Sequence, residues 1–206
     1  MPTTCLLAGL ALGGCGDKQA LPKVSVTADH VAAVNAAIPA DLKGTLEFEL
    51  GTIVEGKGST ETYKLARPKG WKAGFMPGSL APVDADHMGS SPTVGKTEMD
   101  VGSNCDGRCE EKDWAAISDK VNFAQFTSGQ VEGKVLKDVK GTRTRTLVFE
   151  RKVSEHFPEK DVAINIVTAW WADGGVRYFT CSVDVGVPLK GAVDAFEKAC
   201  SKISGG

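Results

Sequence analysis

Residues 162–171 read VAINIVTAWW, and this stretch decides the fold of the chain. It is apolar on both of the faces that a strand presents, which is typical of a central strand covered on both sides. The turn residues Asp173, Gly174 and Gly175 follow it and predict a second long strand over 176–185. Because a short turn joins antiparallel neighbours, the two strands are expected to form the middle of an antiparallel sheet.

Flanking segments extend this pair and add a helix. Residues 135–139 and 142–151 surround Lys140-Gly141 and predict a hairpin before the central strand. Pro188 opens a predicted last helix, whose apolar face carries Val193, Phe196, Cys200 and Ile203. We therefore expect the α+β class, an antiparallel sheet with helices packed on its faces.

The first half of the chain follows the same patterns. Thr27 is the predicted N-cap of a helix over 28–38. Alternation of apolar and polar residues predicts strands at 46–50, 60–66 and 97–101. Gly51 shifts the phase of the first of these strands and is predicted to mark a β-bulge.

Two longer segments lie between the strands. Residues 72–95 are rich in glycine and proline and are predicted to form an irregular loop. Residues 113–126 carry apolar side chains at helical spacing and are predicted to form an amphipathic helix.

The N-terminal residues predict export and lipidation. An apolar run from Cys5 to Leu12 ends in Gly13-Gly14-Cys15, which resembles the lipobox where bacterial lipoprotein signal peptides are cleaved. The run is far shorter than the roughly 20 residues that a membrane-spanning helix needs. We expect residues 1–14 to be removed as a signal peptide, Cys15 to carry the lipid, and residues 15–44 to form a tether and a short helix.

Four cysteines remain beyond the predicted lipidation site: Cys105, Cys109, Cys181 and Cys200. An even number in an exported chain predicts two disulfide bonds, and sequence alone allows three pairings. We favour the pairs Cys105–Cys109 and Cys181–Cys200. A four-cysteine zinc site is the alternative, but its second pair of cysteines is spaced too widely for a typical structural zinc site.

The Cys181–Cys200 pairing follows from the predicted faces. Cys181 lies on the apolar face of the strand over 176–185, and Cys200 lies on the apolar face of the last helix. If that helix packs back on the sheet, the two sulfurs meet. On the chain-entropy model such a bond stabilises the fold by roughly 3 kcal/mol.

Two segments resemble PsbP-like proteins. YKLARPKGW at 63–71 is similar to the strand-Pro-x-Gly-Trp segment of that family, and the closing helix around 195–200 is similar too. The resemblance covers about residues 45–204 and extends to uncharacterised bacterial lipoproteins of this kind. It implies an α/β/α sandwich and a binding or accessory role, and it implies no catalytic residues.

Composition limits the kind of protein and its partners. A hydrophobic content of 42% and a charged content of 24% are ordinary for a packed core, and the length fits one domain, predicted over 45–206. The formal net charge of −2 argues against a nucleic-acid partner, because neutralising phosphates requires a basic excess.

Candidate catalytic and metal-binding residues are few. The histidines His30, His87 and His156 lack the spacing of metal ligands. A nucleophile pair of Cys105 or Cys109 with His87 is conceivable, but disulfide formation would remove the thiol. The acidic residues that offer oxygen ligands for calcium lack the regular spacing of a calcium loop and also fit a solvated loop: Asp100, Asp106, Glu110, Glu111 and Asp113.

The hairpin between Lys134 and Lys152 is strongly basic. It could contact anionic lipid headgroups or polyanionic envelope polymers, although a solvated sheet face explains the same charges. Trp170 and Trp171 point to opposite faces of the central strand, so either one is exposed for binding or both are core. The basic residues of the hairpin are Lys134, Lys137, Lys140, Arg143, Arg145, Arg151 and Lys152.

These observations predict a lipid-anchored, disulfide-stabilised protein of the bacterial cell envelope. It is expected to bind another envelope protein or polymer, to be held at the membrane by its N-terminal lipid, and to use no cofactor or metal. Two alternatives stay open: an envelope hydrolase with its site in residues 72–113, and a lipoprotein that binds calcium or a small ligand.

Overall fold

The computed structural model describes residues 25–54, 62–87, 89–104, 123–152, 161–171 and 178–205. The predicted signal peptide, Cys15, the turns at 55–59 and 173–175, and most of the predicted helix over 113–126 lie outside these residues. No helix of the described residues is both long and apolar enough to cross a membrane.

A seven-stranded sheet forms the centre of the molecule, and all its neighbouring strands run antiparallel. The predicted central strand is confirmed, because a strand over Val162–Trp171 lies inside this sheet. In the order in which they lie side by side, the strands are β3 (Lys72–Ala73), β4 (Ser79–Ala81), β7 (Glu98–Asn104), β11 (Tyr178–Gly186), β10 (Val162–Trp171), β9 (Thr144–Arg151) and β8 (Gly133–Lys140).

Two smaller sheets, three α-helices and a 3₁₀ segment at Ala40–Leu42 also belong to the described fold. An antiparallel sheet of three strands has the order β1 (Phe48–Val54), β2 (Thr62–Pro68) and β12 (Ile203–Gly205), and a short hairpin pairs β5 (Ser90–Ser91) with β6 (Gly95–Lys96). The α-helices are α1 (Ala28–Ala36), α2 (Ala124–Thr127) and α3 (Val193–Cys200). A 3₁₀ segment, Val187–Ala192, leads into α3.

The main core lies between α3 and one face of the large sheet. Cys181, Val183 and Val185 alternate along β11 and are at most 1% exposed, so the predicted apolar face of this strand is confirmed. Phe196 of α3 packs edge-on against Phe48 of β1, with ring centroids 5.3 Å apart. Full burial of each such side chain stabilises the fold by roughly 1.5–3 kcal/mol.

Helix α1 is attached to this core through its cap and one asparagine. Thr27 caps the helix as predicted, because its hydroxyl accepts a hydrogen bond from the His30 amide. Asn35 binds the backbone of Phe48 twice: its Nδ2 donates to the Phe48 carbonyl at 2.9 Å, and its Oδ1 accepts from the Phe48 amide at 2.7 Å. These bonds join α1 to β1.

The opposite face of the large sheet carries a second core. Two aromatic side chains at α2 pack on apolar side chains of β9 and β10, and the ring centroids of Phe126 and Phe149 lie 5.1 Å apart. Helices therefore cover both faces of the sheet, and the predicted α+β class is confirmed. The buried residues of this core are Phe123, Phe126, Leu147, Phe149, Val167 and Ala169.

Residues 72–95 contain more regular structure than predicted. Leu80 of β4 is 4% exposed and pairs with Met99 of β7, so this segment adds an edge to the large sheet. The prediction of an irregular loop is wrong here, because strands of two or three residues are too short to show alternation in the sequence.

Gly51 does not mark a β-bulge. The β1–β2 register runs without interruption from Phe48 to Val54, so that prediction is wrong. Phe48 and Ile53 are buried on opposite faces of the hairpin, which explains the phase shift in the sequence. A Cβ at Gly51 would lie 2.5 Å from the Arg67 side chain, so a larger residue at this position would displace that side chain.

Ile203 does not belong to the last helix. Helix α3 ends at Cys200, and Ile203 begins β12, where it pairs with Leu65 at the edge of β2. The prediction failed because helical spacing and strand pairing both bury this side chain, and the partner strand lies far away in the sequence.

Candidate functional site

Cys181 and Cys200 form the predicted disulfide bond. Cys181 lies in the middle of β11, Cys200 is the last residue of α3, and their Cα atoms are 5.5 Å apart. Both side chains are fully buried in the main core. The bond therefore ties α3 to the centre of the large sheet. Cys105 and Cys109 lie outside the described residues.

The described histidines have different surroundings. His30 is buried against α3, and its pKa is lowered because burial disfavours the charged ring and Lys202 repels it, against a hydrogen bond with the Ala199 backbone that raises it. Among the described residues the Nε2 atom of His30 has no hydrogen-bond partner. His87 is exposed, and His156 lies outside the described residues.

Asp100 is the described member of the predicted acidic set, and the structure gives it different neighbours. It lies on the second face of the large sheet with Glu98 of β7 and Asp184 of β11. Burial raises the pKa of Asp100 to about 7, and the charges of Glu98 and Asp184 add to this effect. Burial also raises the pKa of Asp184, although a hydrogen bond from the Asn165 amide opposes the shift.

This carboxylate cluster does not form a metal centre. Across the described ranges, no group of three or more His, Cys, Asp or Glu side chains is placed to hold a metal ion. Among the residues that the structure describes, Glu98 Oε1 and Asn165 Oδ1 are buried without a hydrogen-bond partner. Asp100 can hold a proton near neutral pH, and the chemistry of this cluster differs from that of the calcium loop considered from the sequence.

The structure divides the basic hairpin into two parts. Arg145 is a core residue: its side chain is 3% exposed, donates two hydrogen bonds to Asp138, and stacks over the Phe123 ring at 4.4 Å. Lys137 forms an ion pair with Glu197 of α3. These two cations have structural partners.

The other part of the hairpin contributes to a pocket. Lys134, Arg151 and Lys152 line it together with Lys190, which comes from the 3₁₀ segment Val187–Ala192. Its volume of about 350 Å³ is in the range of small-molecule sites. Sequence reasoning identified the first three residues as part of a basic hairpin but missed Lys190, since nothing in the sequence indicates that this segment lies beside β8 and β9.

One carboxylate partly neutralises the positive charge of this basic pocket. Among the described residues that line the basic pocket, only Glu150 is acidic. The pKa of Glu150 is lowered because Lys190 donates a hydrogen bond to it and attracts it, and because the charge of Lys134 attracts it as well. Lys190 and Lys134 therefore both act on the Glu150 carboxylate.

Trp170 is packed rather than free for binding. It is partly buried against the main core, and its ring centroid lies 5.7 Å from that of Phe179. This contact favours a role for Trp170 in the core. The Trp171 side chain lies outside the described part of the structure.

Fold and site together define a class: a disulfide-bonded α+β domain with helices on both faces of an antiparallel sheet and a basic surface pocket. No protein-family model matches the sequence. No curated protein matches it either.

Two solved structures are similar in fold. The Ran-binding protein Mog1p of Saccharomyces cerevisiae is 11% identical, with a TM-score of 0.42, over 76% of this chain and 95% of that one. The cyanobacterial PsbP protein, CyanoP, of Synechocystis sp. PCC 6803 is 14% identical, with a TM-score of 0.39, over 75% of this chain and 91% of that one. At this level of similarity, neither neighbour indicates what this chain binds.

Proposed function

We propose that this chain is an exported bacterial lipoprotein, anchored through Cys15, whose domain binds another protein or polymer of the cell envelope without catalysing a reaction. The observation that carries the proposal is the buried Cys181–Cys200 bond. Disulfide bonds persist in oxidising compartments outside the cytoplasm. The lipobox-like sequence at 12–15 supplies a route to such a compartment.

A lipid anchor suits a binding role. It raises the concentration of the domain at the membrane surface, and the polar residues after Cys15 give the domain reach. Of the histidines considered as candidate ligands or bases, His30 is buried against α3 and His87 is exposed. The basic pocket offers a polar surface on which a partner can be held.

The test is peptide mass mapping of the protein purified from membranes without reduction. We expect an acylated Cys15 at the N-terminus and a peptide in which Cys181 is linked to Cys200. The Cys15→Ala variant should leave the membrane fraction, whereas Cys5→Ala, which changes a cysteine of the predicted signal peptide, should not.

An uncleaved N-terminus with free thiols would contradict the proposal. Retention of Cys15→Ala in the membrane fraction, at the level of Cys5→Ala, would contradict the lipid anchor in particular.

A further inference from the structure

The basic pocket brings together several positively charged side chains. Its cations come from three elements: Lys134 from β8, Lys152 from the end of β9, and Lys190 from the 3₁₀ segment. Arg151 also lines the pocket, but it alternates with Glu150 along β9 and its charge acts on Asp184 on the other face of the sheet. Holding like charges around one concavity costs free energy unless an anion neutralises them. The arrangement is therefore that of an anion site.

The ion pairs within the protein do not neutralise the pocket. Lys190 pairs with Glu150, and Lys152 pairs with Glu132 at 2.9 Å, but the latter two side chains are 71% and 75% exposed. Such exposed pairs are weak, so Lys152 can exchange its partner for a ligand. The Lys134 side chain has no hydrogen bond or ion pair among the described residues, although Lys134 lies opposite Glu150 in the β8–β9 ladder and its charge lowers the pKa of Glu150.

The pocket also has an apolar wall. Ala163 and Val187 line it, and Val187 is 49% exposed. The volume of about 350 Å³ is roughly ten times that of a water molecule in the liquid, so it admits an oxyanion with a small organic group attached. Phosphate offers more acceptor oxygens than a carboxylate and so matches several converging lysines better.

We propose that the basic pocket binds a phosphate ester, with the phosphate held by Lys134, Lys152 and Lys190 and the organic group against Val187. This inference deepens the proposed function, because it names the chemistry that the binding domain recognises. The ester is either free in solution or part of a lipid headgroup, and the two sources share the same contacts.

The first experiment is calorimetric titration of the full chain in detergent with sn-glycerol 3-phosphate at low ionic strength. We expect saturable binding that the Lys134→Gln/Lys190→Gln variant weakens about tenfold, because each lysine contributes a charge-assisted hydrogen bond. The matched control is Lys43→Gln/Lys198→Gln, which removes the same charge from exposed lysines that do not line the pocket. Its affinity should stay within about twofold of the wild type.

The single variant Lys134→Gln keeps the test independent of folding. Lys134 is exposed on an edge strand without a bonded partner in the described chain, so its replacement leaves the fold intact. It should weaken binding by about threefold or more. No detectable binding by the wild type, or equal losses in the pocket variants and the control variant, overturns the proposal.

A second experiment distinguishes a phosphate ester that is free in solution from one that is part of a lipid headgroup. The lipidated chain is placed in vesicles of digalactosyldiacylglycerol, which carry no phosphate, or in the same vesicles with added phosphatidylglycerol. A lower apparent affinity for glycerol 3-phosphate in the second case, absent from Lys134→Gln/Lys190→Gln, assigns the pocket to lipid headgroups. Unchanged affinity assigns it to a soluble ester, and either result supports the phosphate site.

The two proposals fail in different ways. Absence of phosphate binding with an acylated Cys15 overturns the phosphate site and leaves the lipoprotein proposal standing. Phosphate binding that depends on the pocket, in a chain whose Cys15 is not acylated, overturns the lipoprotein proposal alone.

Discussion

The surroundings of Asp100 in the structure differ from those that the sequence pattern around it predicts. Alternation in β7 correctly places Met99 and Val101 in the core, where both are at most 2% exposed. The same alternation gives no sign that Asp100, on the other face, is also partly buried. Its environment comes from Asp184 on β11, which is distant in the sequence, so the raised pKa could not be foreseen from the local pattern.

The raised pKa of Asp100 predicts that stability falls as the pH rises. A carboxyl with a folded pKa of about 7 and an unfolded pKa near 3.8 stabilises the fold at low pH, and this stability is lost as the pH passes through the folded value. We expect the free energy of unfolding to fall between about pH 4 and pH 7, by at most about 4 kcal/mol, and then to level off. Urea denaturation at a series of pH values measures this slope.

Variants isolate the contribution of Asp100 to that slope. Asp100→Asn should flatten it, whereas Asp41→Asn, at an exposed position, should keep it. The raised pKa of Asp184 acts in the same direction, and the lowered pKa of His30 opposes it by removing stability as the pH falls. A slope in Asp100→Asn equal to that of the wild type would show that Asp100 ionises normally in the folded protein.

Asn35 shows how a polar residue joins two elements. The sequence identifies α1 and β1 as separate elements, and nothing in its periodicity indicates that one amide side chain serves both backbone groups of Phe48. Because Phe48 is 2% exposed, these backbone groups have no water to replace a lost partner.

Removing this amide should loosen the attachment of α1. We expect Asn35→Ala to lower the free energy of unfolding by about 2 kcal/mol, because a buried donor and a buried acceptor lose their partners. The control Ala33→Ser changes an exposed position of the same helix and should alter stability by about 0.5 kcal/mol or less. Chemical denaturation compares the two variants, and a loss no larger than that of the control would mean that α1 is held by apolar packing alone.

Long, strongly patterned elements could be predicted from the sequence, and short ones could not. β10 and the β8–β9 hairpin carry enough residues for their patterns to be unambiguous. β12, with Ile203, is too short for a pattern of its own and exists because the edge of β2 accepts it. The basic pocket likewise depends on the approach of Lys190 to Lys134, which only the tertiary fold determines.

For the molecule as a whole, the disulfide bond was predictable because two independent periodicities agreed. Strand alternation places Cys181 on the apolar face of β11, and helical spacing places Cys200 on the apolar face of α3. A single core between those faces brings the two cysteines together. No comparable pair of faces exists for the basic pocket, which is why its residues were identified only in part.

Breaking this bond should destabilise the whole domain. The bond joins residues 19 positions apart, so we expect Cys181→Ala/Cys200→Ala to lower the free energy of unfolding by about 3 kcal/mol in urea. Dithiothreitol should destabilise the wild type similarly and should affect this variant much less, because the predicted Cys105–Cys109 bond closes a much shorter loop.

The matched control is Cys105→Ala/Cys109→Ala, which keeps the Cys181–Cys200 bond and should remain sensitive to dithiothreitol. If reductant weakens the Cys181→Ala/Cys200→Ala variant as much as the wild type, the stabilising bond lies elsewhere in the chain.

The pairing of β12 with β2 has a consequence for biosynthesis. Ribosomes make a chain from its N-terminus, so β1 and β2 exist well before Ile203 and its neighbours do. During that interval the edge of β2 that β12 will occupy offers unpaired amide and carbonyl groups, which template misassembly with other nascent strands. This hazard ends only when Ile203 and its neighbours have been made, so translation or translocation that stalls before them leaves an aggregation-prone domain.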